Sequence, residues 1–250
     1  MDADSAKTAT PPAPYGLLGS LLWTAGGILA WFAAQMALLV AYAILKGAVA
    51  PEDFKKLATD GTILAIAVIA AAPVWIGVLV LAARLRGWSA RDYLALIPPK
   101  RGEILFGIAV LAPLLVAFDL LTYACGRDVV PPFMRDSYLT AKLAGSLPLF
   151  YLAVIIVAPL GEEIAFRGFP FRGLSETWLG IAGTIIVTSA IWALMHVQYD
   201  WVEVAQIVLI GLVLGWLRWA SGSTALTILL HMLTNLGATL EAMIKVEWLS

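Results

Sequence analysis

Apolar residues dominate seven stretches of the chain, at about 17–45, 61–83, 103–124, 146–168, 179–198, 202–219 and 223–245. Each is close to the twenty or so residues that an α-helix needs to cross a bilayer. No polar interval between them is long enough to bury a core of its own. The pattern predicts an all-α, polytopic transmembrane helical bundle of about seven spans. Gly168, Pro170 and Gly173 interrupt it between the fourth and fifth spans, which leaves an eighth open.

Composition agrees with the pattern. Of 250 residues, 61% are hydrophobic and 13% charged, against about 25% charged in soluble domains, and mean hydropathy is +0.90. A formal net charge of −1 offers no basic face for phosphate backbones, so the bilayer rather than nucleic acid is the expected partner. The single cysteine, Cys125, allows no intramolecular disulfide, and no Cys/His spacing suggests structural zinc. Residues 1–16, small, polar and proline-rich without a basic start, read as a disordered tail before a retained helix.

The densest basic loop carries Arg84, Arg86, Arg91, Lys100 and Arg101, and the positive-inside rule keeps it cytoplasmic. The N-terminus is then cytoplasmic, while Lys46, Lys55, Lys56, Arg127, Arg135 and Lys142 fall outside. A bacterial inner membrane suits a chain of this length. Residues 126–145, with Pro131 and Pro132, divide N-terminal helices over 17–145 from a region over 146–245 that holds both histidines.

That later region contains groups a bilayer rejects. An ionised side chain near the centre of a span costs roughly 2.5–3.5 kcal/mol on insertion scales. Glu163 and Arg167 are four apart, acid first, the favourable order for a helical ion pair. Glu162 points about 100° away from Glu163 on a helix, so one acid can be held by arginine while the other faces a cavity. His231 and Asn235 share one face of the last helix, where two neighbouring donors suit an oxyanion. His196 closes its own helix. At about 1.5 Å per residue, Glu162, His231 and Asn235 come out at similar depths, roughly 10–18 Å from the cytoplasmic ends, and His196 nearer 27 Å.

Plainer readings exist for each element. Spacing alone explains Glu163 with Arg167 as a structural pair. His231 with Asn235 would serve as a helix–helix clamp of about 0.6 kcal/mol, and His196 as an interfacial residue. The tryptophans read mostly as interfacial anchors, Asp119 as interfacial, and Gly211 with Gly215 as a site of close helix packing.

The run Gly161-Glu-Glu-Ile-Ala-Phe-Arg-Gly-Phe169, the segment Trp192-Ala-Leu-Met-His196 and His231-Met-Leu-Thr-Asn235 resemble, in order, the three motifs of the CAAX protease and bacteriocin-processing (CPBP, or Abi) family: EExxxR, FxxxH and HxxxN. Trp192 stands where the family usually has Phe. The resemblance covers roughly residues 145–240 and implies an intramembrane endopeptidase related to the Ras-converting CAAX endopeptidase. Its substrate would be a membrane-associated protein or peptide: the family includes enzymes that act on prenylated, CAAX-type C-termini and others linked to bacteriocin maturation or self-immunity, and the residues do not distinguish them. Glu162 would be the general base, sharing activation of water with His196; His231 and Asn235 would hold the oxyanion; Arg167 would keep Glu163 paired. Without an HExxH pair the resemblance favours a glutamate mechanism with no cofactor, zinc being the alternative. Two other classes remain open from the residues: a non-catalytic immunity or assembly protein, and a proton-coupled transporter using Glu162 and His196.

Overall fold

The computed structural model describes residues 12–47, 56–57 and 59–249. Among these the chain forms helices α1 (Leu17–Lys46), α2 (Gly61–Leu85), the short α3 (Ala90–Tyr93), α4 (Arg101–Ala124), α5 (Pro132–Leu143), α6 (Leu147–Ser175), α7 (Gly180–Leu194), α8 (Trp201–Ser221) and α9 (Thr224–Trp248). Six of them, α1, α2, α4, α6, α8 and α9, are long and apolar enough to cross a membrane, and α7 is a shorter apolar helix. Together they make an integral membrane bundle of about seven passes.

Several helix starts are capped by short polar side chains, which satisfy N–H groups that have no partner inside the helix. Asp60 accepts from Thr62 and Ile63 N–H at 2.9 and 3.0 Å. Asp200 accepts from Val202 N–H at 2.8 Å, and Ser223 from Leu226 N–H at 3.0 Å. Gly222, at φ +68°, closes α8 in the left-handed conformation that glycine adopts without steric cost, so α8 and α9 form a tight hairpin.

Two spans differ from the sequence pattern. The fourth runs to Ser175, past Gly168 and Pro170, because the helix widens instead of breaking: it is π-helical over Leu152–Val157 and again over Ile164–Gly168. The second widening ends just before Pro170, whose missing N–H and ring are incompatible with a regular interior turn. The fifth span stops at Leu194, and its 15 residues reach only about 22 Å. Glu163 to Phe171 are all buried, so α6 runs through the middle of the bundle.

Residues 126–145 are more than a divider. Within them α5 buries Ser137, Tyr138 and Ala141 against α2 and α9. A Cβ on Gly61 would overlap the Ser137 carbonyl, which explains glycine at the start of α2. Tyr138 donates to Glu247 at 3.1 Å and Lys142 pairs with the same carboxylate at 2.6 Å. Of the segment read as a tail, residues 1–11 lie outside the described residues, as does Lys55. Residues 12–16 lie against the α2–α3 turn, where Tyr15 donates its hydroxyl to Ala82 O at 3.0 Å and Arg86 donates to Ala13 O at 2.9 Å.

The tryptophans divide into two groups. Trp178, Trp201 and Trp248 are exposed near helix ends, the pattern of interfacial anchors. Trp75 and Trp192 are 2% and 3% exposed and belong to the core, which corrects the anchor reading for these two.

Candidate active site

Glu162 and Glu163 lie in the short regular stretch of α6, Ala158–Glu163, between its two π-helical segments. Consecutive residues on a helix point in different directions, and the two acids have different surroundings. Glu163 is fully buried, and its Oε1 accepts from Arg167 Nη1 and faces His231 Nδ1, both at 3.0 Å. The Glu162 side chain is 20% exposed. Its Oε2 accepts from the Trp192 indole N–H at 2.6 Å and lies 4.0 Å from His231 Nε2.

Arg167 is also fully buried. It donates Nη2 to the Gly211 carbonyl at 3.1 Å, and its guanidinium sits 4.5 Å from the centroid of the Trp192 ring. Gly211 is needed here, since a Cβ would come within 2.9 Å of the Ser189 Cβ and 3.1 Å of Arg167 Nη2. Gly215 meets Ile185 in the same way at 3.0 Å. The Gly211/Gly215 pair is therefore where α8 packs closely on α7, as its spacing indicates.

His231 bridges the two carboxylates from α9. Because Nδ1 faces a carboxylate it carries a proton, so Nε2 can donate to a third group only when the ring is an imidazolium. Asn235, one turn on, gives one amide N–H to the Val154 carbonyl at 2.8 Å. Val154 belongs to the first π-helical segment, where the regular backbone pattern is interrupted. One N–H of the Asn235 amide remains for another acceptor.

His196 follows α7 and is half-buried. Its Nδ1 contacts the Trp192 carbonyl at 2.9 Å, so Nδ1 bears the proton and Nε2 is the acceptor of the neutral ring. By the resemblance Glu162 and His196 share the activation of a water. Among the described residues there is no hydrogen bond between them, and Trp192 stands between: its ring touches Glu162 through the N–H and lies edge-on to both His196 and His231, centroids 5.3 Å apart in each case. Residues on α7 advance about 1.5 Å each, so it is Trp192, one turn before His196, that shares the level of Glu162. This accounts for the greater depth computed for His196.

Beyond His196 the Tyr199 ring stacks on the imidazole at 6.1 Å, and Phe133 meets Tyr199 edge-on at 5.8 Å. Burial pushes the Tyr199 phenol up, and the charge of Glu162 adds to this. A cavity of about 440 Å³ opens at this end, lined by Arg127, Asp128, Phe133, Tyr199, Asp200 and Glu203 among others. Arg127 is paired with Asp200 and with Glu203. The cavity lies at the end of the bundle opposite the Arg84–Arg101 loop.

Residues 144–237 match the family described as Rce1-like, type II CAAX prenyl endopeptidase. Over this stretch the chain is similar to that family. An uncharacterized 24.3 kDa protein of Escherichia coli is 34% identical over 113 residues, which cover 42% of this chain and 50% of that protein. The chain thus spans about half the length of the curated relative it matches. No solved structure gives a significant match.

All six residues singled out from sequence, Glu162, Glu163, Arg167, His196, His231 and Asn235, fall inside the matched stretch, together with several that spacing did not reveal. Arg218, in the last turn of α8, is turned inward rather than toward solvent. It is 7% exposed and donates to the Arg167 carbonyl at 3.0 Å and to Thr224 at 2.9 Å. Thr224 in turn donates to Leu94 O at 2.6 Å. These bonds serve the second π-helical segment, where the i→i−4 ladder is disrupted. Among the described residues, no group of three or more His, Cys, Asp or Glu side chains has the geometry to hold a metal ion.

Proposed function

We propose that the matched region is a CAAX-type intramembrane endopeptidase, hydrolysing a peptide bond near the C-terminus of a membrane-associated protein or peptide with Glu162 as general base. Prenylated CAAX substrates are the class named in the description of the matching family. The observation that carries this reading is the separation of two adjacent carboxylates, one buried between Arg167 and His231, the other partly exposed with Oε1 free of protein hydrogen bonds among the described residues. Glue between helices requires only the first.

In the reaction, a water gives its proton to Glu162 Oε1 as its oxygen attacks the scissile carbonyl carbon. His196 Nε2 shares the activation of this water. The developing oxyanion is met by the free N–H of Asn235 and by His231 Nε2 as imidazolium; such donors are worth about 3–4 kcal/mol each when removed from other proteases. The proton held by Glu162 then passes to the leaving amine nitrogen as the C–N bond breaks. Every step uses side chains of this region and water, so the mechanism takes no cofactor.

The test is cleavage of an internally quenched, farnesylated CAAX peptide by the purified protein in lipid nanodiscs. Glu162→Gln and His196→Ala are each expected to abolish turnover with a wild-type melting profile. Full turnover in either variant overturns the assignment.

A further inference from the structure

Trp192 contacts four members of the site: Glu162, His196, His231 and Arg167. Its indole N–H reaches Glu162 Oε2 at 2.6 Å, its carbonyl meets His196 Nδ1 at 2.9 Å, and its ring packs edge-on against His196 and His231. Arg167 lies over its face at 4.5 Å. With 3% exposure, the side chain has no alternative rotamer in solvent, and an indole N–H buried without a partner is costly. Nothing in its packing role requires the N–H to point at a carboxylate.

We infer that Trp192 is the positioning residue for Glu162: its N–H holds Oε2, so that Oε1 is the oxygen presented to the attacking water. The Arg167 guanidinium strengthens this hold. A cation over an aromatic face draws electron density from the ring, which makes the indole N–H a better donor, and hydrogen bonds to an ionised acceptor are short and strong. The Arg167 cation thereby acts on Glu162 through an uncharged ring and without a direct contact. His231, at 4.0 Å from the same Oε2, is too far to replace the indole as a donor. The inference rests on the endopeptidase reading for its kinetic part and on geometry alone for the hydrogen bond.

The experiment has a spectroscopic and a kinetic arm on full-length protein in nanodiscs. With ¹⁵N-indole labelling, the Trp192 Nε1–H resonance is assigned by its loss in Trp192→Phe. In Glu162→Gln, which keeps the acceptor oxygen but removes its charge, this resonance is expected to move upfield and its hydrogen exchange to quicken. An unmoved resonance overturns the inference whether or not the protein cleaves peptides. In the kinetic arm, Trp192→Phe is expected to lower kcat roughly ten- to hundredfold, the loss of a hydrogen bond to a charged group, with KM little changed. Should the Phe variant fold poorly, benzothienylalanine at position 192 keeps the shape and removes only the N–H, and the same loss in kcat is expected. Full kcat in the isostere, with Glu162→Gln inactive, overturns the positioning role alone; full turnover in Glu162→Gln overturns Glu162 as the general base, and no cleavage by the wild type overturns the endopeptidase reading instead.

Discussion

His231 Nδ1 sits 3.0 Å from Glu163 Oε1, so the imidazole that helical spacing groups with Asn235 is tied to the carboxylate that spacing assigns to Arg167. Three side chains from two helices, all almost fully buried, form one network: Arg167, Glu163 and His231. Removing any member leaves an uncompensated polar group in the core of a membrane protein. The network therefore fixes α9 against α6, and with it the distance from His231 to Glu162.

Arg167→Ala is expected to lower the thermal unfolding midpoint strongly, since breaking a buried ion pair by deleting one partner costs about 3–5 kcal/mol. Arg167→Lys should recover little, because an ammonium cannot span both Glu163 and the Gly211 carbonyl as the guanidinium fork does. The double variant Glu163→Gln/Arg167→Met should recover more stability than either single change. Additive losses in this cycle, measured by thermal denaturation in detergent, would show that the two side chains are not coupled.

Peptide cleavage should survive EDTA and 1,10-phenanthroline. The proposed chemistry runs through Glu162, His196 and water, and chelators remove none of these. Loss of activity that zinc restores would move the site to the metalloprotease class, and the assay is the same quenched-peptide cleavage.

Cys125 offers a test of orientation without any substitution. It is exposed at the end of α4, beside the cavity residue Arg127. With the Arg84–Arg101 loop cytoplasmic, a membrane-impermeant maleimide added to intact cells should label it. The cavity then faces the outer side, and a substrate reaching the site through it is presented there. Labelling only after the membrane is permeabilised would reverse the orientation and place the cavity in the compartment of cytoplasmic prenylated proteins.

Asp200 caps α8 and pairs with Arg127, and its carboxyl is held well below the usual aspartate range by hydrogen bonds with Glu203, Arg127 and the α8 backbone. A group whose folded pKa is depressed stabilises the fold above its unfolded pKa, about 3.9 for Asp, and loses that contribution as pH falls through the folded value. Asp200→Ala should therefore melt below the wild type at neutral pH, and the gap should begin to close only below about pH 4. A gap that instead widened on acidification, followed by circular dichroism, would contradict the sign.

The number and placement of the membrane helices were legible in the chain because lipid imposes a simple requirement: some twenty apolar residues per crossing. The Glu163–Arg167 pair was legible for an equally local reason, since residues four apart meet on any helix. The π-helical widenings in α6 were not, because they depend on how this helix packs in the bundle. Nor was α5, which is too short and polar for the membrane pattern and is held by its contacts with α2 and α9.

Within the site, spacing divided Glu162 from Glu163 by direction, and the two carboxylates differ in burial and in their nearest partners, Trp192 for one and Arg167 for the other, with His231 beside both. Spacing could not report that Trp192 carries the hydrogen bond to Glu162, or that Arg218 turns inward to the Arg167 carbonyl. Sequence alone determined which residues are costly in a bilayer and so require a partner. Only the tertiary structure decided which partners they take, because those contacts join residues 30 to 68 positions apart through helix packing, which no periodicity along a single helix encodes.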